Sequence, residues 1–199
     1  MNLIFDTETT GLPAKGQYNN PSHPQTPRVV ELAVLLVDNE GVIQGHLNTL
    51  IIPENFEVPY AASAVHGITT AMAYEQGRPY EEVITEFRDL ANKADTLVAH
   101  NITYDLLCIS GDFLRFYGKL PNFTRFSQYC TKEATTPICA IPASWGRGFK
   151  WPTLDEAYQH LFNAPVVGAH RAMTDVRHTT RIFFKTKYGR NIPLPDSPT

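Results

Sequence analysis

The chain's 199 residues, 43% of them hydrophobic and 19% charged, suffice for one substantial core and are too few for two. No apolar run approaches the ~20 residues of a membrane span, and the amino terminus lacks a signal peptide's basic start and cleavage site, so the chain is expected to begin with its first strand. The net charge of −3 hides an asymmetry: residues 1–110 carry 5 Lys/Arg against 14 Asp/Glu, and residues 111–199 carry 12 against 6.

In chain order, Leu3-Ile4-Phe5-Asp6-Thr7-Glu8-Thr9-Thr10-Gly11 starts as the apolar run of a buried strand and then places two carboxylates two residues apart. Side chains at i and i+2 of a strand share a face, so Asp6 and Glu8 would stand side by side where a core strand ends. Two like charges ~4 Å apart repel by about 4 kcal/mol at an effective dielectric of ~20. A divalent cation is the usual remedy; solvated residues at a strand-to-turn junction are the bland alternative.

A Pro-, Asn- and Gln-rich loop follows at 13–27. Arg28 to Val37 is apolar on both faces apart from Glu31, as expected of an interior strand. Asn39-Glu40-Gly41 reads as a tight turn, and Val42 to Ile52 as the returning antiparallel strand. Tyr60–Val65 and Thr70–Glu75 read as short helical turns. Tyr80–Ala94 is the clearest helix, with Val83, Ile84, Phe87, Leu90, Ala91 and Ala94 on one stripe. Thr96–Ala99 is a short strand, followed by a helix from Thr103 to Tyr117 that buries Leu106, Leu107, Phe113 and Leu114. Residues 124–130 can form a further strand. Thr153 and Glu156 make a capping box that opens a helix through Phe162. Ala172–Tyr188 is the last helix, with Val176, Thr180, Phe183 and Phe184 inward and Gly189 as its stop.

The order implies an α/β fold: a mixed sheet, its first three strands antiparallel and a later one parallel to the first, with helices on both faces. Residues 1–189 form the expected domain and 190–199 a short Pro-rich tail. Cys108, Cys130 and Cys139 have no zinc-like spacing; an odd number fits a reducing, cytoplasmic setting. A basic half beside an acidic half suits a metal–carboxylate site flanked by a phosphate-binding surface, and equally two complementary halves of one fold.

Two further segments carry chemistry. His100-Asn101-Ile102-Thr103-Tyr104-Asp105 follows the short strand, and the carboxyl end of a strand is where α/β sheets present functional groups. Asn101 could equally be a helix cap and Asp105 a first-turn acid. Gly168-Ala169-His170-Arg171-Ala172-Met173-Thr174-Asp175 opens the last helix and sets Asp175 near its inward stripe, where an unpaired carboxylate is costly.

Taken in order, Asp6 and Glu8 in F-D-T-E-T-T-G, Asp105 in H-N-x-x-Y-D, and His170 with Asp175 in H-R-A-x-x-D resemble the DEDDh family of 3′→5′ exonucleases, which includes the proofreading subunit of the bacterial replicative polymerase. Ala64-Val65-His66-Gly67-Ile68-Thr69 is similar to a further family signature. The sister DEDDy branch would place Tyr where Arg171 stands, so the histidine branch is indicated. The loop 13–27 is long beside proofreading subunits.

The resemblance implies a ribonuclease H-like fold and a 3′→5′ exonuclease acting on single-stranded DNA or on frayed 3′ ends to release 5′-mononucleotides. It implies two Mg²⁺ or Mn²⁺ ions, one held by Asp6, Glu8 and Asp175 and one by Asp6 with help from Asp105 through water. Such a pair, ~3.5–4 Å apart, stabilises both the attacking and the leaving oxygen. His170 would take the proton from the attacking water, histidine being the residue type that exchanges protons near neutral pH.

Thr9, Thr10 and Gly11 would contact the terminal nucleotide, with Leu12 as an apolar wedge and His66, Asn101 and Tyr104 lining its pocket. An RNA exonuclease of the same family is the alternative activity. A non-catalytic polymerase or nucleic-acid-binding subunit is the other, and it would be marked by loss of a metal acid. Polymerase association stays open. From its residues alone, Trp145-Gly146-Arg147-Gly148-Phe149-Lys150-Trp151-Pro152, aromatics interleaved with cations, is expected to grip a single strand behind the active site, with Trp145 and Arg147 leading and loop 13–27 as a candidate second wall. A loop covering the core is its alternative.

Overall fold

The computed structural model describes residues 1–144 and 146–196. Strand β2 (Val29–Val37) is buried along its whole length because it meets helices on both faces. Its neighbours are β1 (Asn2–Thr9) and β3 (Ile43–Leu50), both antiparallel to it. Strand β4 (Thr96–Ala99) lies parallel to β1, and β5 (Ser127–Cys130) parallel to β4. The sheet therefore runs β3-β2-β1-β4-β5, the mixed arrangement expected from the sequence.

Among the described residues seven helices surround it: α1 (Tyr60–His66), α2 (Thr70–Gln76), α3 (Tyr80–Ala91), α4 (Ile102–Tyr117), α5 (Thr131–Cys139), α6 (Leu154–Phe162) and α7 (Ala172–Tyr188). Strand alternation divides the core. Leu3, Phe5, Leu32, Val34 and Leu36 pack with Val83, Ile84 and Phe87 of α3 and Leu106 and Ile109 of α4. Ile4, Ala33, Leu35 and Val37 face the other way, onto Val176, Phe183 and Phe184 of α7. Each such large side chain, fully buried, contributes about 1.5–3 kcal/mol. Helix α7 thus seats its first turn over the carboxyl end of β1.

Several boundaries shift. Helix α3 stops at Ala91 rather than Ala94, because residues 92–94 turn the chain into β4 through hydrogen bonds from Lys93 N to Leu90 O and Ala94 N to Ala91 O. Strand β5 starts at Ser127 rather than 124, since Phe123–Phe126 closes a turn first. Helix α5 was not expected from the sequence: it is Thr-rich, and Pro137 interrupts it. Residues 190–196 lie against α7, where Arg181 Nε donates to Ile192 O at 2.9 Å and Ile192 packs on the α7 core. Cys108, Cys130 and Cys139 are free thiols. Among the described residues no helix is long and apolar enough to cross a membrane.

Candidate active site

The last residues of β1 and the first turn of α7 meet at one end of the sheet. There the carboxylates of Asp6, Glu8 and Asp175 offer oxygens that all lie within 4.8 Å of one another. Burial and crowding make these acids reluctant to ionise. Asp6 is raised well above the usual carboxylate range, first by burial and then by Asp105, Asp175, Glu8 and Glu31. Burial, with Asp175 and Glu31, pushes Glu8 up to about 8, partly opposed by Arg171. Asp175 rises to about 6 through burial, against which the backbone and ring of His170 work. Its Oδ1 is buried without a hydrogen-bond partner. An unbonded buried oxygen among three crowded carboxylates is the arrangement a hard divalent ion relieves, so these residues fit a divalent cation of that kind.

Asp105, buried in the first turn of α4, points its Oδ1 at Thr7, accepting from the amide at 3.1 Å and from the hydroxyl at 2.8 Å. Burial raises it to about 7, and the two Thr7 bonds resist that rise. It therefore stands behind Asp6 rather than inside the three-acid cluster. His170 is exposed just ahead of α7, in the left-handed region at φ 65°, beside Asp175.

Next to the acids, the chain turns at Thr9–Leu12. Gly11 takes φ 139° there, in the positive-φ region that glycine enters readily. The Tyr104 hydroxyl donates to Gly11 O at 2.6 Å and contacts Thr9 Oγ1. Thr10 Oγ1 accepts from the Arg28 amide at 2.9 Å. Leu12, 78% exposed, projects from this turn and belongs to no core. His66 is buried: Nδ1 accepts from the Ile68 amide at 3.1 Å, so Nε2 carries the proton and donates to Thr9 O at 3.3 Å. Both ring nitrogens are thus engaged within the protein, and His66 props the turn from behind. Asn101, in the left-handed region at φ 94°, makes no side-chain cap and faces the same cavity as Tyr104.

The pairing of two residues, Glu31 and Arg171, escaped the sequence reading. Glu31 interrupts an otherwise apolar strand, sits opposite Glu8 in register and is 2% exposed. It accepts from Arg171 (Nη2 at 2.8 Å) and from the Ala172 amide (3.0 Å), which ties the start of α7 to β2. Its isolation in the strand was a visible signal; its partner 140 residues away was not. Of the aromatic–cation loop, Trp145 lies outside the described residues. Arg147 is exposed on a short hairpin in which Lys150 N bonds Ile141 O at 2.9 Å. It does not line the cavity that Asn101 and Tyr104 face, whereas Trp151 does.

Comparison with known proteins agrees with this geometry. A family model described as Exonuclease (RNase_T) matches residues 3–183. The chain is 34% identical over 114 residues to a DNA polymerase III subunit epsilon-like protein of Rhodobacter capsulatus, covering 57% of this chain and 14% of that protein. It is 28% identical over 191 residues to the uncharacterized exonuclease CP81 of Escherichia phage 186, covering 90% and 84%. Its fold is that of Escherichia coli Exonuclease I in complex with a dT13 oligonucleotide, at TM-score 0.69 and 18% identity over 94% of this chain and 41% of that one. Exonuclease X in complex with 5′-overhanging duplex DNA aligns at TM-score 0.58 and 23% identity, covering 96% and 94%. The chain thus spans a small part of the epsilon-like protein and under half of Exonuclease I. The family match bears out the resemblance carried by the ordered motifs: the chain belongs to the RNase_T exonuclease family, with the ribonuclease H-like fold of the DEDDh exonucleases.

Proposed function

We propose that the protein is a 3′→5′ exonuclease that removes 5′-mononucleotides from the 3′ ends of single-stranded or frayed DNA. The observation that carries this reading is the convergence of Asp6, Glu8 and Asp175 within 4.8 Å in a chain of an exonuclease family. Asp6, Glu8 and Asp175 would hold one Mg²⁺ or Mn²⁺, and Asp6 with Asp105 through water a second. When bound, these ions supply charge stabilisation to the attacking and leaving oxygens.

The residues divide the remaining work. The turn Thr9–Leu12 receives the terminal nucleotide, its backbone and hydroxyls toward the sugar end and Leu12 against the base. Tyr104 and His66 hold that turn in shape, and Asn101 adds a free amide to the pocket wall. His170 takes the proton from the water that attacks phosphorus, and the 3′-oxygen of the preceding nucleotide leaves. The DNA complexes of the two structural relatives support DNA as the substrate. Free thiols fit a reducing, cytoplasmic setting.

The test is digestion of matched 5′-labelled single-stranded DNA, frayed duplex and RNA with Mg²⁺, with Asp6→Ala as control. The expected result is a ladder shortening from the 3′ end of DNA, 5′-mononucleotide release, reversible loss in EDTA and a loss of several orders of magnitude in His170→Ala. Activity that survives EDTA, or RNA cut in preference to DNA, overturns the reading in its mechanism or its substrate respectively.

A further inference from the structure

At the carboxyl ends of β4 and β5, where Asn101 and Tyr104 lead up to Asp105, a cavity of about 360 Å³ opens between the loop 13–27, α4 and α5. Its walls include Tyr18, Asn101, Tyr104, Lys132, Glu133 and Trp151. Two of these aromatics are held out to solvent: Tyr18 is 48% exposed and Trp151 61%. A loop that merely covered the core would turn such rings inward.

Trp151 is anchored from behind. His100 is half-buried, and desolvation lowers its ring to about 4, so the ring is neutral. It donates from Nε2 to Pro152 O at 3.2 Å and accepts the Thr131 hydroxyl at Nδ1, 2.9 Å away. That bridge ties the residue after Trp151 to the start of α5, and brings the Trp151 ring to 4.6 Å from Lys132 Nζ. Lys132 forms no ion pair within 4 Å among the described residues. The groove on the other side of the Thr9–Leu12 turn also holds cations, Arg28 and Arg115. Both of those are committed to Asp112. Of these two grooves, the one with the exposed rings is therefore the one whose cation has no carboxylate partner among the described residues.

We infer that this cavity is a subsite for single-stranded nucleic acid: the base upstream of the scissile bond stacks between Tyr18 and Trp151, and a backbone phosphate sits on Lys132. The inference rests on the exonuclease reading above and extends it. Asn101 and Tyr104 line the cavity and also flank the turn assigned to the terminal nucleotide, so one strand can occupy both places. Stacking plus backbone charge is how single strands are held without sequence preference. Glu133 on the rim is exposed and sets a repulsive edge that a strand must skirt.

The test compares two substrates with Mg²⁺. One is the p-nitrophenyl ester of thymidine 5′-monophosphate, which offers a scissile phosphate and a terminal nucleotide but no upstream base. The other is a 5′-labelled decathymidylate. Trp151→Ala and Lys132→Gln should each lower kcat/KM on the decamer by roughly 5- to 150-fold, the range that one stacked base is worth, and at least fivefold more than on the ester. Trp151→Phe should recover most of the loss. Lys132→Gln should also flatten the dependence of log KM on log salt by about 0.7, the contribution of one phosphate on a single strand. Equal losses on the two substrates, or none on the decamer, overturn the subsite while a wild-type enzyme that digests the decamer keeps the exonuclease reading. A wild-type protein inert on both substrates overturns that reading and the subsite with it.

Discussion

Asp112 and Asp6 are both aspartates inside the protein, within reach of the same sheet, and their surroundings are opposite. Asp112, 1% exposed, is surrounded by donors: Arg28 Nε, Arg115 Nη1 at 3.0 Å and the Val29 amide at 2.8 Å. It clamps α4 to the start of β2. Asp6 has other carboxylates for neighbours, and Asp175 beside it leaves an oxygen unbonded. A buried acid serving structure is matched with donors on folding. One kept among like charges, at a cost in free energy, is held ready for something that arrives from outside.

The comparison breaks or holds first on two substitutions. Asp6→Asn should lower kcat/KM by roughly a thousandfold or more, while the metal-free protein melts at the same temperature or higher, because one repelling charge has gone. Asp112→Ala should do the reverse. Stripping Arg28 and Val29 of their partner costs about 3–5 kcal/mol, and a chain of this size loses ~2–4 °C in Tm per kcal/mol, with kcat retained below the transition. Calorimetry and steady-state kinetics on both variants decide it. Asp6→Asn melting well below wild type would make Asp6 a structural acid like Asp112.

Protons and metal sharpen the contrast next. Glu8, Asp105 and Asp175 are raised in the folded chain to about 8, 7 and 6 from ordinary values near 4. The metal-free folded state therefore binds more protons than the unfolded chain between about pH 4 and pH 8. Stability from these groups is fullest near pH 4 and is lost as pH rises through their folded values. Mg²⁺ at a fixed concentration a hundredfold above its Kd at pH 8 should restore about 2.7 kcal/mol there and less at pH 6, because the ligands must be deprotonated to bind. Thermal melts at the two pH values, with and without Mg²⁺, check this; a metal-free protein more stable at pH 8 would contradict the crowding.

Glu31 and Arg171 stand between the two cases: a paired buried acid that supports an unpaired cluster. Arg171 is half-exposed, so the pair's own contribution to folding is small. Its position matters more, since it fixes the start of α7 from which Asp175 projects and before which His170 stands. Glu31→Gln and Arg171→Ala should each reduce kcat about 10- to 100-fold, as loss of a group supporting metal ligands does. Arg171→Lys should rescue only in part, because a single ammonium cannot reproduce the guanidinium's several contacts. Losses in KM alone, with kcat intact, would place the pair with substrate binding instead.

What the sequence made legible was local. The i, i+2 spacing of Asp6 and Glu8, the stripe of α3, the Thr153–Glu156 capping box and the stop at Gly189 each depend on neighbours within a turn or two. Bringing Asp175 to Asp6 needed the ordered motifs, because no periodicity joins residues 169 apart. Helix α5 stayed hidden because β-branched Thr and an internal Pro contradict a helix that tertiary packing imposes, with Thr131 and Thr135 fully buried. The partners of Glu31 and Asp112 were invisible for the same reason that makes them useful: each pins two distant parts of the chain together. His66 was expected at the nucleotide; its ring gives Nε2 to Thr9 O of the turn and takes the Ile68 amide, just past its own helix, at Nδ1.

The smallest expected effect is the one that tests where structure ends and substrate binding begins. Tyr104 stands on α4, one residue before Asp105, and its hydroxyl donates to Gly11 O at 2.6 Å. Burial raises its pKa, so it is a donor at every working pH. Tyr104→Phe keeps the ring in the core and removes that donor alone, which costs about 1 kcal/mol of stability. If the turn exists to receive a terminal nucleotide, loosening it should raise KM by a few fold and leave kcat nearly untouched, since the hydroxyl bonds the turn and none of the carboxylates. Melting and kinetics of the one variant separate the possibilities. A lower Tm with unchanged KM would make the Tyr104–Gly11 bond another Asp112, a clamp serving the fold. A KM shift would place the boundary between scaffold and site at this single hydroxyl.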